Sequence, residues 1–139
     1  MAAGSLLIYH EFIKNRLSLI GFSFMTAAGV GAVLVGLFPE NTVALLHFTG
    51  AGLSFLIGNV GIVLLGKALN VPKALKLYSL FTGALTLTAL ALFVSRHYLG
   101  LSLGGMERVV GYPQTVWLIV FGVYISANRM ASQARAKRS

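Results

Sequence analysis

A few ionisable side chains interrupt an otherwise apolar sequence, close to the ends of its apolar runs. Glu40 follows the first run, His47 lies early in the second, and Glu107 and Arg108 precede the last. A carboxylate and an imidazole can act as acid and base or hold a small ligand. A guanidinium can grip a carboxylate or a phosphate through two parallel hydrogen bonds. These four residues are the candidate functional groups of the chain.

The composition predicts that these groups sit on a membrane protein. The chain has 139 residues, of which 57% are hydrophobic and 10% charged, whereas soluble domains carry about 25% charged residues. A soluble fold this small could not bury so much apolar surface. Cysteine is absent, which excludes disulfides and thiolate metal sites. The chain has eleven basic and three acidic residues. Because the basic residues form no single face, we expect no nucleic-acid binding.

Four apolar segments are long enough to cross a bilayer, which takes about 20 predominantly apolar residues in a helix. Their apolar character is continuous rather than alternating, which favours helices over barrel strands. The sequence therefore predicts an all-α polytopic membrane helical bundle in a single membrane domain. The four predicted transmembrane helices are 17–38, 43–65, 77–94 and 109–127, followed by a basic tail over 128–139.

Residues 1–15 are apolar at the start but too short to span. They lack the basic start and cleavage site of a signal peptide. We expect an interfacial or partly buried helix there. The alternative is the end of a longer spanning helix.

The basic residues predict the orientation, because cytoplasmic loops of membrane proteins retain Lys and Arg. With four spans, three separate basic segments fall on one side of the membrane. Both termini are therefore predicted to be cytoplasmic in a multi-pass protein of the cell membrane, with Glu40, Glu107 and Arg108 on the other side. The basic residues concerned are Lys14, Arg16, Lys67, Lys73, Lys76, Arg129, Arg135, Lys137 and Arg138.

His47 shares a helical stripe with Gly50 and Ser54 and should face the bundle. Three interpretations remain open. It is a structural hydrogen-bond donor beside the Pro39 turn, a ligand-binding or headgroup-binding residue, or a metal ligand together with His97 and nearby carboxylates. No HExxH motif or close pair of histidines supports a metal, so we predict none.

Glu107 and Arg108 lie at the predicted start of the last helix. The carboxylate of Glu107 suits the positive end of the helix dipole. Arg108 does not, so we expect it either to pair with Glu40 across the bundle or to bind a lipid phosphate.

Small residues predict how the helices pack, since close approach at such residues stabilises helix pairs in lipid. We interpret three stripes as faces inside the bundle, with a dimer interface as the alternative. Trp117, with Tyr98 and Tyr112, is predicted to lie at a membrane interface. The stripes are Ala28, Ala32 and Gly36; Gly50, Ser54 and Gly58; and Gly111, Thr115, Gly122 and Ser126.

Two motifs resemble a known family. They are Gly36-Leu37-Phe38-Pro39-Glu40-Asn41, followed by His47 and Phe55, and Met106-Glu107-Arg108-Val109-Val110-Gly111-Tyr112-Pro113, followed by Trp117 and Gly122. Together they resemble the prokaryotic membrane-protein family catalogued as domain of unknown function 998, over roughly Val35 to Tyr124. Typical members of that family have about six spans. The resemblance therefore implies that N-terminal helices are absent here. The resemblance implies a shared site of Glu40, His47, Glu107, Arg108 and Tyr112, but no activity.

The sequence carries no known catalytic motif. It has no Asp, no GxSxG segment and no phosphate-binding loop. A non-enzymatic role without cofactor is favoured, although a Glu and His pair leaves catalysis open. We expect a protein in the lipid bilayer that binds a lipid headgroup or small polar ligand at its non-cytoplasmic face. The alternative is a structural or accessory subunit, with a homo-oligomer or another membrane protein as partner. A transporter or membrane-embedded enzyme is less favoured.

Overall fold

A computed structural model describes residues 15–136 of the chain, without the side chain of Arg135. The predicted N-terminal helix lies outside this range except for Asn15, as do the last three residues of the predicted tail. Four helices fill the described part, which contains no strand. They are α1 (Arg16–Leu37), α2 (Ala44–Ala68), α3 (Lys73–Val94) and α4 (Leu103–Ala136).

All four helices are long and apolar enough to cross a membrane. Large apolar side chains such as Val33, Leu45, Phe81 and Val123 point outward on α1 to α4, as lipid contact requires. The predicted all-α membrane bundle with four helices is therefore confirmed. Helix α4 extends beyond the predicted span 109–127 at both ends.

Asn15 determines where α1 begins. Its side-chain oxygen accepts a hydrogen bond from the backbone N–H of Ser18 at 2.8 Å, and the Ser18 hydroxyl lies 3.3 Å from the Asn15 N–H, which together form a capping box. The amide of Asn15 also donates to the carbonyl of Ala68 at 3.3 Å. One residue thus caps α1 and joins its start to the end of α2.

Helix α2 is interrupted by a π-helical segment over Gly52–Ile57. The backbone hydrogen bonds of such a segment join residues five positions apart instead of four, and these segments are frequent at functional sites. The side-chain amide of Asn59 donates to the carbonyl of Phe55 within the segment at 2.7 Å. The segment changes the directions of Ser54 and Phe55 relative to a regular helix.

Helices α1 and α2 approach each other closely at two glycines. A Cβ atom added to Gly31 would lie 2.5 Å from the Gly50 carbonyl oxygen, and one on Gly50 would lie 2.7 Å from that of Gly31. Only glycine allows the two backbones to approach this closely. In turn, α3 packs against both α2 and α4.

Only one of the three predicted small-residue stripes is correct throughout. Gly50, Ser54 and Gly58 are buried on α2, as predicted. On α1, Ala28 is buried but Ala32 and Gly36 are exposed. A strict four-residue spacing drifts around a helix of 3.6 residues per turn, so the contact continues at Gly31 instead.

The predicted stripe on α4 is wrong as a packing face. Thr115 and Ser126 are exposed, and Gly111 and Gly122 are only partly buried. The buried face of α4 carries larger side chains, which fill the space between helices better than small ones. Its buried residues include Val110, Gln114, Trp117, Phe121 and Ile125.

Trp117 lies in the core and not at a membrane interface, so that prediction is wrong. It is 1% exposed, and its indole N–H donates to the Ser79 hydroxyl at 2.8 Å. Its ring stacks on Phe121 with 4.9 Å between the centroids. Because Ser79 satisfies the one polar group of the indole, full burial carries little penalty.

The two ends of the bundle differ. At the end we call the Pro39 end, α1 and α3 end while α2 and α4 begin; the opposite end is the Lys73 end. Side chains of α1, α2 and α4, including Phe22, Ile62 and Trp117, form one core cluster. Toward the Pro39 end, a cavity lies between these three helices instead.

Candidate functional site

The Pro39 end contains two adjoining pockets. The first, which we call the His47 pocket, has a volume of about 380 Å³ and lies between α2, α3 and α4. It is lined by Glu40, His47, Phe48, Ala51, Gly52, Phe55, Leu90, Phe93, Val94, Leu103 and Glu107.

The second, the Arg108 pocket, has a volume of about 320 Å³ and lies between α1, α2 and α4. Phe55 and Glu107 line both pockets and therefore form the wall between them. The Arg108 pocket is lined by Ala32, Ser54, Phe55, Glu107, Arg108, Gly111, Tyr112, Gln114 and Thr115.

The structure brings together all five site residues proposed from the sequence. Glu40 and His47 line the His47 pocket, Arg108 and Tyr112 line the Arg108 pocket, and Glu107 lines both. Glu40 comes from the α1–α2 loop, which reverses the chain at Pro39. His47 lies in the first turn of α2, and Glu107, Arg108 and Tyr112 lie within the first three turns of α4. Both helices begin at the same end of the bundle.

His47 joins α2 to the end of α1. Its Nδ1 lies 3.0 Å from the carbonyl oxygen of Phe38. Because a carbonyl can only accept, Nδ1 is the protonated nitrogen, and in the neutral ring Nε2 is then an acceptor. The structural interpretation of His47 is therefore supported. Since the residue also lines a pocket, a binding role remains compatible with the same geometry.

Arg108 does not form the ion pair with Glu40 that was one of two expectations. The two side chains line different pockets, with Phe55 and Glu107 between these, and no ion pair joins them in the described part of the chain. Arg108 is exposed at the first turns of α4. The other expectation, that the Arg108 guanidinium binds an anionic group, stays a prediction.

His97 lies apart from both pockets. Its Nδ1 donates to the Ser95 carbonyl at 2.9 Å in the exposed α3–α4 loop. That loop turns sharply, with positive φ angles at Arg96, Leu99 and Gly100. Among residues 15–136, no group of three His, Cys, Asp or Glu side chains is placed to hold a metal ion.

Two buried side-chain amides are not among the candidate residues predicted from the sequence. Asn59 on α2 is 0% exposed and Gln114 on α4 is 3% exposed. The Asn59 amide nitrogen lies 3.5 Å from the Gln114 side-chain oxygen. A search for charged groups passes over uncharged amides, yet polar side chains inside apolar helices usually face the bundle and bond across it. That signal could have identified both.

The pockets combine apolar walls with a few polar groups, as is usual for small-molecule sites. The His47 pocket offers two carboxylates, an imidazole and three phenylalanines. The Arg108 pocket offers a guanidinium, a phenol and an amide above a floor of small side chains. Groups of these kinds are able to hold the polar and apolar parts of an amphipathic molecule.

The fold and the pockets define a polytopic helical membrane protein with a polar site at one end. The chain matches the family described as "Protein of unknown function (DUF998)" over residues 1–124. It therefore belongs to that family, and the match extends on the N-terminal side of the Val35 to Tyr124 region that carried the resemblance. No curated protein and no solved structure matches the chain.

Proposed function

We propose that this membrane protein binds a lipid headgroup or another small polar ligand at its Pro39 end. The observation that supports the proposal is the convergence of Glu40, His47, Glu107, Arg108 and Tyr112 on two adjoining pockets. Four of these come from two helices that are far apart in sequence. Scattered surface charges would not be expected to share the walls of two cavities.

The charges suggest how such a ligand would lie. Arg108 offers a bidentate fork to a phosphate or carboxylate group. Glu107 separates it from the His47 pocket, where a second carboxylate, Glu40, favours a neutral or cationic part of the ligand. The phenylalanines of that pocket suit an apolar or ammonium group.

The proposal also assigns the Pro39 end to the non-cytoplasmic side. Arg16, Lys67, Lys73 and Lys76 lie at the Lys73 end, and such a concentration of basic residues supports a cytoplasmic position for that end. Because the chain contains no cysteine, single cysteines report orientation without background. In spheroplasts, an impermeant maleimide should label Asn41→Cys but label Ser132→Cys only after lysis. The opposite pattern would reverse the orientation.

Ligand binding can be tested by native mass spectrometry of protein purified with phosphatidylglycerol or phosphatidylethanolamine. A charge-assisted hydrogen bond contributes about 1.5–3 kcal/mol, so Arg108→Ala should weaken retention of the phospholipid by roughly tenfold or more. Free glycerol 3-phosphate, added in place of lipid, tells a soluble phosphate ligand from a lipid headgroup.

Arg96→Ala is the matched control, because Arg96 is exposed at the same end but lines neither pocket. It should retain lipid as the wild type does. Equal losses in Arg96→Ala and Arg108→Ala would show that only surface charge attracts lipid, and the proposal would be rejected. Thermal unfolding of each variant verifies that the fold is intact.

A structural or accessory role is the second candidate, and the outward stripe on α4 favours it. Gly122 has no neighbouring atom within 4 Å of a Cβ position, so another helix could approach closely there. Gly122→Leu should then abolish a crosslinked oligomer or partner complex, while Val123→Leu, at an exposed neighbour, should not. A wild-type protein that stays monomeric and uncrosslinked in native membranes would exclude this role.

A further inference from the structure

The His47 pocket carries negative charge without a positive partner among the described residues. Two carboxylates, Glu40 and Glu107, line it, and none of its described lining residues is a lysine or an arginine. Neither carboxylate forms an ion pair within residues 15–136. A cavity whose charged groups all have one sign attracts ligands of the opposite sign. The charge of this pocket therefore favours a cationic group.

The inner wall of the pocket is aromatic. Phe55 of α2 and Phe93 of α3 are half-buried, because they pack against the buried side chains of Met106 and Val110 on α4. Aromatic rings attract cations at their faces and also accommodate the methylene groups beside a charge. In residues 15–136, no group of three side chains is placed to hold a metal ion. Carboxylates beside aromatic rings thus favour an organic cation.

His47 adds a third hydrogen-bond acceptor to the two carboxylates. Its Nδ1–H donates to the Phe38 carbonyl, which leaves Nε2 of the neutral ring as an acceptor on the other side. Nε2 has no partner in the described part of the chain. A primary ammonium group carries three N–H donors and no acceptor. Its donors therefore match the acceptors of this pocket, whereas a quaternary ammonium group has no N–H to donate.

The apolar mouth of the pocket indicates what carries the amine. Val94, the last residue of α3, and Leu103, the first residue of α4, both line the pocket and are exposed. The exposed ring of Phe48 lines it from α2. The pocket thus opens at an end of the bundle, where polar headgroups meet apolar chains in a bilayer. An amine on an apolar chain suits this position.

We infer that the His47 pocket binds the primary ammonium group of an amphipathic amine. The inference rests on the proposed function and names the chemical class of the ligand. The ammonium group donates to Glu40, Glu107 and His47, and the phenylalanines contact the methylene groups next to it. A phosphate on the same molecule would meet Arg108 on the other side of Glu107, in agreement with the anionic group proposed there.

Two phospholipids that differ only at the headgroup nitrogen test the inference. Wild-type protein is incubated with equal amounts of dioleoyl phosphatidylethanolamine and dioleoyl phosphatidylcholine, and native mass spectrometry compares the bound lipids. Both carry the same phosphate and chains, but methyl groups replace the N–H donors in phosphatidylcholine. Because hydrogen bonds to charged groups are strong, phosphatidylethanolamine should bind about tenfold more tightly.

A second pair of probes distinguishes a lipid from a soluble amine. Hexylamine and hexyltrimethylammonium, titrated by calorimetry, repeat the comparison without a phosphate. A preference for the primary amine in the lipid pair identifies an aminophospholipid as the ligand. A preference in the alkylamine pair alone identifies a soluble amine.

Variants of the pocket locate the binding. Glu40→Gln and Glu107→Gln keep the shape of the side chain but remove its charge, and each should reduce the wild-type preference severalfold. Arg108→Ala is the control from the adjoining pocket. It should weaken retention of both phospholipids alike and leave the preference between them unchanged. Thermal unfolding of each variant verifies that the fold is intact.

Equal binding within both pairs by the wild-type protein overturns the inference, and that result needs no variant to fold. A preference that persists undiminished in both Glu→Gln variants also overturns it, because the amine would then bind elsewhere. If the wild type shows no preference but Arg108→Ala still weakens lipid retention, only the inference about the amine fails. If Arg108→Ala has no effect, the proposed function fails separately.

Discussion

Replacing Gly31 with alanine should destabilise the bundle, because the new methyl group would enter the closest contact between α1 and α2. It would lie 2.5 Å from the Gly50 carbonyl oxygen and 2.9 Å from the Ser54 backbone nitrogen. Both neighbours are backbone atoms, which cannot rotate away as a side chain can. Ordinary contacts begin near 3.4 Å, so the two helices would have to separate by almost 1 Å.

Overpacking of this kind costs about 1–3 kcal/mol. The higher helix propensity of alanine returns up to about 1 kcal/mol in water and less in a membrane, where an unfolded segment stays helical. We therefore expect a net loss of about 1–2 kcal/mol, which corresponds to roughly a 5 °C decrease in the Tm of a small domain. Thermal unfolding in detergent, followed by Trp117 fluorescence, measures it.

Gly36→Ala is the matched control on the same helix. No atom lies within 4 Å of its Cβ position, so its Tm should stay the same or rise slightly. If Gly31→Ala proved as stable as Gly36→Ala, the described crossing of α1 and α2 would be wrong. Combining Gly31→Ala with Gly50→Ala adds a further criterion. Either substitution alone forces the two helices apart at the same contact, so the costs in stability should not add.

Two hydrogen bonds give further predictions. Ser79→Ala leaves the buried Trp117 N–H without its acceptor and should lower the free energy of unfolding by about 1–3 kcal/mol. The control Ser95→Ala, at an exposed site, should have little effect. Similar Tm values for the two variants would contradict the hydrogen bond between Trp117 and Ser79. His47→Ala removes the donor to the Phe38 carbonyl and should cost about 1 kcal/mol, measured against His97→Ala, which loses only an exposed bond.

The helices themselves could be predicted because span length and continuous apolar character depend on local sequence alone. The faces that pack could not. In a helix that is apolar all round, hydrophobicity does not identify the buried side, and small residues occur on both sides of α1 and α4. By residue type, Ala32 and Gly36 are therefore equivalent to Ala28, and only the crossing of the helices distinguishes them. The π-helical segment Gly52–Ile57 has no sequence signal that we recognise.

The region of the candidate site was predictable for a topological reason. Glu40, Glu107 and Arg108 adjoin helix ends, and four antiparallel helices bring those ends to one side. The partition into two pockets depends on Phe55, whose direction follows from the packing of α2. Trp117 was misplaced because its acceptor, Ser79, is 38 residues away in the chain.

The π-helical segment of α2 can also be regarded as a one-residue insertion in a regular helix. Deleting Gly52, which contacts nothing through a Cβ position, would let α2 close into an uninterrupted α-helix. Gly50 and Gly58 would keep their own contacts with α1 and Gln114, but Ser54 and Phe55 would lose their present directions. The segment also contributes Leu53 and Ser54 to the tight contact with Gly31 of α1. The insertion therefore shapes the crossing of α1 and α2 and the wall between the pockets at once, which makes it a feature of the scaffold and of the candidate site together.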